Sequence, residues 1–141
     1  MATPVYGKQF IRFAETALVP DASAIAQFTL VTINAAANTE PPTIALMAAA
    51  GEAFGVLQQE FNVATSGYAT DLMRLGTVAT SGLLLVAADG ANLQAQGDAL
   101  LVDATGSSSS AGAAVTVDAS TPIVRQQVVI GGVNMVLVSF N

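Results

Sequence analysis

Gly97-Asp98-Ala99-Leu100-Leu101-Val102-Asp103-Ala104-Thr105-Gly106 reads as turn, strand, turn. Gly97-Asp98 is a turn dipeptide and residues 99–102 are a short apolar run. Residues 103–106, with the serines at 107–110 behind them, accept turn geometry or stay solvated. The stretch holds no nucleophile, no acid beside an evident partner and no phosphate cradle. What it specifies is architecture: a short strand held between two tight reversals.

Toward the C-terminus, residues 106–114 are Gly/Ser/Ala of low complexity, which predicts an exposed, flexible loop. Residues 115–118 fit a short edge strand. Residues 123–130 and 133–140 are two apolar runs separated by Gly131-Gly132, and both glycines can take the positive φ of a two-residue turn. This pattern predicts a β-hairpin.

Toward the N-terminus, Asp89-Gly90 is a turn signal, and residues 83–87 and 73–79 read as strands joined by a turn at Thr80-Ser81-Gly82. Residues 53–60 alternate as a strand, Gly67 breaks the chain, and 44–50 fit either a two-turn helix capped by Gly51 or a buried strand. Residues 34–42 are turn-rich, and 25–33 alternate over β-branched side chains as a strand does. In residues 1–20, Phe10, Phe13 and Ala17 are spaced for one face of a short helix, yet Pro4, Gly7 and Pro20 limit regular structure, so an extended arm fits equally. The expected fold is mainly β: an antiparallel sandwich or barrel-like domain over 21–141, with at most one or two short helices, preceded by an N-terminal arm or helix over 1–20.

Composition narrows the function. The chain of 141 residues has no His, Cys or Trp, so the commonest general base, soft nucleophile and transition-metal ligands are missing. Charged residues make up 10% against about a quarter in ordinary domains, and apolar residues 52%. A weakly charged surface keeps neighbours apart poorly, which predicts subunit contacts. The net charge of −6, with only Lys8, Arg12, Arg74 and Arg125 cationic, argues against a nucleic-acid partner. No apolar run approaches the ~20 residues of a spanning helix, and the N-terminus lacks the pattern of a signal peptide.

Together with Gly55-Val56-Leu57-Gln58 and the closing run 133–140, the opening stretch resembles the capsid cement, or head decoration, proteins of tailed bacteriophages. These are small all-β proteins in which a phrase Gly-Asp-x-Leu-x-Val-Asp-x-x-Gly recurs late in the chain. The resemblance implies a structural virion subunit on the outer surface of the capsid, held in the host cytoplasm before assembly. It further implies a homotrimer whose partner is the phage major capsid protein. Such proteins often attach through an N-terminal arm, which makes Tyr6, Lys8, Phe10, Arg12 and Phe13 the expected capsid-binding residues.

Other candidates have plainer readings. Asp89, Asp98 and Asp103 could suggest calcium, but their spacing matches neither an EF-hand nor a glycine-rich nonapeptide repeat, and Asp at a turn accepts hydrogen bonds from the backbone two residues on. Glu52 and Glu60 would lie at opposite ends of one strand, unlike the paired carboxylates of a hydrolase. Gly131-Gly132 lacks the rest of a phosphate-binding fingerprint. No cofactor, metal, small-molecule substrate or enzymatic activity is therefore expected. The alternative to a decoration subunit is a β-rich binding module, tail-associated or carbohydrate-binding, which would need exposed aromatics set opposite polar side chains.

Overall fold

The computed structural model describes residues 9–20, 25–59 and 73–140. Its strands are β1 (Phe10–Pro20), β2 (Leu30–Ile33), β3 (Ile44–Leu46), β4 (Gly51–Glu52), β5 (Gly55–Leu57), β6 (Met73–Ala87), β7 (Leu101–Val102), β8 (Ala113–Thr116), β9 (Ile123–Ile130) and β10 (Val133–Phe140). A single 3-10 turn, Ala35–Ala37, is the helical structure among the described residues. The fold is mainly β and sandwich-like, as the alternation of short apolar runs and turn residues predicts. A large antiparallel sheet packs on a small one in which β8 lies between β7, antiparallel, and β4, parallel.

The closing hairpin forms with the expected bounds. Val133 pairs with Ile130, and Gly131 and Gly132 take φ of +55° and +80°. That positive φ at both turn positions matches the twist of the flanking strands and is open to glycine without steric penalty.

β6 organises the large sheet. Ala79 pairs with Ala14 of β1 and with Val56 of β5, while Gly82 pairs with Ile11 of β1 and with Phe140 of β10. A strand residue has one neighbour on each edge. It follows that β1 runs along one edge of β6, while β5 and β10 lie end to end along the other. The sheet is thus two half-sheets, β3-β2-β5 and β10-β9, hung from one long strand.

The junction needs an irregularity. Ala79, Leu84 and Val86 share one buried cluster, although strict alternation would put 79 on the face opposite 84 and 86. The phase is switched where the β1–β6 register slips, between Ile11 and Phe13 and between Phe13 and Ala14. Gly82 sits there with φ +127°, and a Cβ on it would come within 2.1 Å of the Phe10 carbonyl oxygen. The expected turn at Thr80-Ser81-Gly82 is therefore a bulge inside one continuous strand: its small residues permit close backbone approach instead of reversing the chain.

At its centre, along β10 and residues 84–86 of β6, both faces of the large sheet are buried, which explains why these stretches read as unbroken apolar runs. Val136 and Val138 of β10 face the cluster shared with Leu100, Val102 and Val115 of the small-sheet side, while Met135 and Leu137 join Leu85 and Val128 in another. A third cluster, including Ala17, Val19, Val31, Ile44 and Val78, covers the β1–β3 end. Each buried Val or Leu contributes on the order of 1.5–3 kcal/mol by transfer.

Several local expectations change. Of the helical and extended readings of residues 1–20, the extended one holds over Phe10–Pro20, because β6 offers its backbone a ladder that an isolated segment bracketed by prolines lacks. Of the two readings of 44–50, the strand holds, as β3 on β2. The run 25–33 is extended only from Leu30, since Phe28 takes φ +66° and its carbonyl accepts from Ala87 N–H.

The largest correction is the serine segment. Ser108 and Ser109 are 0% and 1% exposed, so this is neither an exposed nor a free loop. Ser108 N–H donates to Ala87 O, and Ser108 O accepts from Asp89 N–H. Ser109 N–H donates to Leu101 O and Ser110 N–H to Asn92 O. Ser108 Oγ donates to Gln94 Oε1 at 2.8 Å and Ser109 Oγ to Asp89 Oδ2 at 3.2 Å. Small hydroxyl side chains allow a backbone to be buried when every polar group finds a partner.

Gln94, 1% exposed, completes this polar core. Its Oε1 also accepts from Leu101 N–H at 2.9 Å, and its Nε2 donates to Ala99 O at 2.7 Å. One amide side chain thereby pairs the backbone on both sides of Leu100 and fixes the strand at the heart of the 97–106 stretch.

Candidate functional site

The aspartates are turn caps. Asp89 Oδ1 accepts from Ala91 N–H at 3.1 Å, and Asp103 Oδ1 from Thr105 N–H at 2.8 Å, each two residues on. Asp98 Oδ2 accepts from Ala95 N–H at 2.9 Å. Hydrogen bonding holds the Asp89 carboxyl below the usual carboxylate range, chiefly from the Asn92 side chain, then from Ala91 N–H. Glu60, the suggested partner of Glu52, lies outside the described residues.

Of the expected attachment residues, Tyr6 and Lys8 lie outside the described residues. Phe10, Arg12 and Phe13 stand on the outer half of β1. Its two halves differ sharply: Ala17 and Val19 are 0% exposed, whereas Phe10 and Phe13 are 64% and Ile11 is 40% exposed. The inner half is sealed by the residues leading into β3, where Leu18 N–H donates to Pro42 O at 2.8 Å and Leu18 bridges Thr43. Among the described residues, no strand pairs with the far edge of β1 before that point.

Beside this outer half lies an open cleft of about 880 Å³, at the junction of the two half-sheets. β5 stops pairing with β6 at Ala79 and β10 begins at Gly82, so Thr80 and Ser81 have no strand partner on that edge. They line the cleft together with Arg12, Phe13 and Glu15 of β1. The opposite wall comes from Thr32 of β2, Glu52 and Phe54 around β4 and β5, and Asp118 beyond β8.

The wall carrying Glu52 and Phe54 is firmly placed. Ala53 N–H donates to Thr116 O and Phe54 N–H to Val31 O, both at 2.8 Å, so this segment is strung between the two sheets. Gly55 packs against β6 so closely that a Cβ there would meet Ala79 O at 2.2 Å. Glu52 Oε1 accepts from Asp118 N–H at 3.3 Å, and Glu52 O from Thr32 Oγ1 at 3.2 Å. The cleft therefore combines two phenyl rings, several hydroxyls, one guanidinium and the carboxylates of Glu15, Glu52 and Asp118.

Reading by sequence found Arg12 and Phe13, and considered Glu52 only as the partner of Glu60, but not the rest. The other lining residues come from separate strands with no common spacing. Only the pairing of β1 with β6, and of residues 51–54 with both sheets, brings them together. No family model, curated protein or solved structure matches the chain.

Proposed function

We propose that the protein is a structural virion subunit, a decoration (cement) protein that binds the outer face of a tailed-phage head and stabilises it. The observation that carries this reading is the outer half of β1, where Phe10 and Ile11 are exposed on a strand already fixed by pairing with β6. Apolar side chains held on ordered backbone favour association, because little further ordering is needed to bury them. A ligand that binds only the assembled shell stabilises it by its binding free energy at every site. The partner is the major capsid protein, the subunit acts as a homotrimer on the virion surface, and no catalysis is involved. The phrase running from Gly97 to Gly106 and the −6 charge, unsuited to nucleic acid, agree with this reading.

The test is cosedimentation with expanded heads assembled from the cognate capsid protein alone. The unaltered protein should pellet with heads, and Phe10→Ser/Ile11→Ser should lose roughly two decades of affinity, by area bookkeeping on one Phe and one Ile. Failure of the unaltered protein to pellet sinks the decoration reading. Full binding by the double variant moves the contact surface off β1. The second reading, a β-rich binding module, is favoured by the cleft.

A further inference from the structure

The cleft at the β1–β6 junction is lined by neither Phe10 nor Ile11, and nothing in the decoration reading uses it. We propose that it binds a neutral oligosaccharide. Its volume, about 880 Å³, falls in the range of small-ligand sites and leaves room for more than one sugar ring. The inference stands whether or not the protein attaches to capsids.

The chemistry of the lining selects the ligand. A pyranose presents an apolar C–H face, which packs on an aromatic ring, and a rim of hydroxyls that both donate and accept hydrogen bonds. Phe13 and the half-buried Phe54 supply rings on two walls. The carboxylates of Glu15, Glu52 and Asp118 only accept, and Arg12 only donates, so a polyol can engage both kinds at once. Glu52 is held in place by Asp118 N–H at 3.3 Å, which reduces the ordering needed on binding.

Ser81 is the independent pointer to a ligand. It is only 7% exposed, it lines the cleft, and among the described residues its hydroxyl has no hydrogen-bond partner. Buried hydroxyls are ordinarily paired. A ligand hydroxyl entering the cleft would supply the partner. The charges narrow the class further: three carboxylates against one guanidinium leave the lining net negative, which repels uronic or sialic acids, while a basic peptide would pair with the carboxylates but leave the two rings without a stacking face. A neutral glycan satisfies every group.

The experiment is an amide-resolved NMR titration of the full chain with cellohexaose, maltohexaose and chitohexaose, with tri-galacturonate and tetralysine as charged comparisons. At least one neutral hexasaccharide should give saturable shifts confined to the amides of Glu15, Phe54, Ser81 and Asp118. Ser81→Ala and Phe54→Leu, each keeping a dispersed spectrum, should weaken it by roughly tenfold or more. Phe10→Ser/Ile11→Ser should leave sugar binding unchanged, and Phe54→Leu should leave head binding unchanged, so the two surfaces fail separately. No saturable shift with any of the three, shifts elsewhere on the domain, or preference for either charged probe overturns the proposal.

Discussion

Two segments of this chain exchange the environments their side chains would choose. Ser108 and Ser109 are 0% and 1% exposed, while Phe10 and Phe13 are each 64% exposed. The serines are buried because neighbouring strands and two side chains, Gln94 and Asp89, meet their backbone and hydroxyl groups. The phenylalanines are exposed because β1 runs beyond the residues leading into β3, which cover only its inner half. Burial follows the supply of partners as much as hydrophobicity. An exposed ring on fixed backbone is then a better mark of an interface than an exposed polar loop.

The largest effect that could break this comparison is an insertion of Gly-Ser between Ser108 and Ser109. It displaces four backbone hydrogen bonds and two side-chain ones, each worth about 1 kcal/mol net. Buried groups left unpaired add to the loss, which approaches the whole stability of a domain, roughly 5–15 kcal/mol. The variant should be insoluble or lack a cooperative melt. If it is soluble and melts like the parent, the segment belongs to the solvent after all.

How much of this was legible depends on where each segment finds its partners. The closing hairpin was readable to the residue because its turn and both strands are consecutive in sequence, and Gly131-Gly132 announces the turn. The serine segment was not, because Ala87, Gln94 and Leu101 complete it from outside, and composition carries no trace of them. Thr80-Ser81-Gly82 looks alike as a turn or a bulge. The neighbours decide, and here β1 on one edge, with β5 ending at Ala79 and β10 beginning at Gly82 on the other, keeps β6 extended through it. The cleft was half-hidden in the same way. Arg12 and Phe13 stood out beside Phe10, but Phe54, Ser81 and Asp118 become neighbours only through pairing.

A smaller effect sharpens the contrast within β1 itself. Val19→Ala removes methyl groups from a fully buried site among Ala17, Val31 and Val78 and should lower stability by about 2 kcal/mol. Phe10→Ser, on the exposed half, should change it by no more than about 0.5 kcal/mol. Urea unfolding of the two variants makes the comparison directly. Equal losses would mean that the outer ring is packed in the free protein, and the proposed contact surface would have to move.

The smallest effect concerns the acid that anchors the serine segment. Asp89 accepts from Asn92 Nδ2 at 3.0 Å, from Ala91 N–H at 3.1 Å and from Ser109 Oγ at 3.2 Å. These bonds favour the carboxylate, so its folded pKa lies below the unfolded value of roughly 3.9. A depressed folded pKa means that the unfolded chain binds the proton more readily. The stabilisation is therefore complete above the unfolded pKa and is lost as pH falls through the folded one. Asp89→Asn keeps the side-chain size but has no such proton to bind, so the parent should exceed it in stability at about pH 7 by more than at about pH 3. Denaturant unfolding of both proteins at the two pH values measures the gap. A gap that stays constant would show that the charge on Asp89 contributes nothing, leaving the neutral hydrogen bonds and Ser109's own backbone contacts to hold the segment in place.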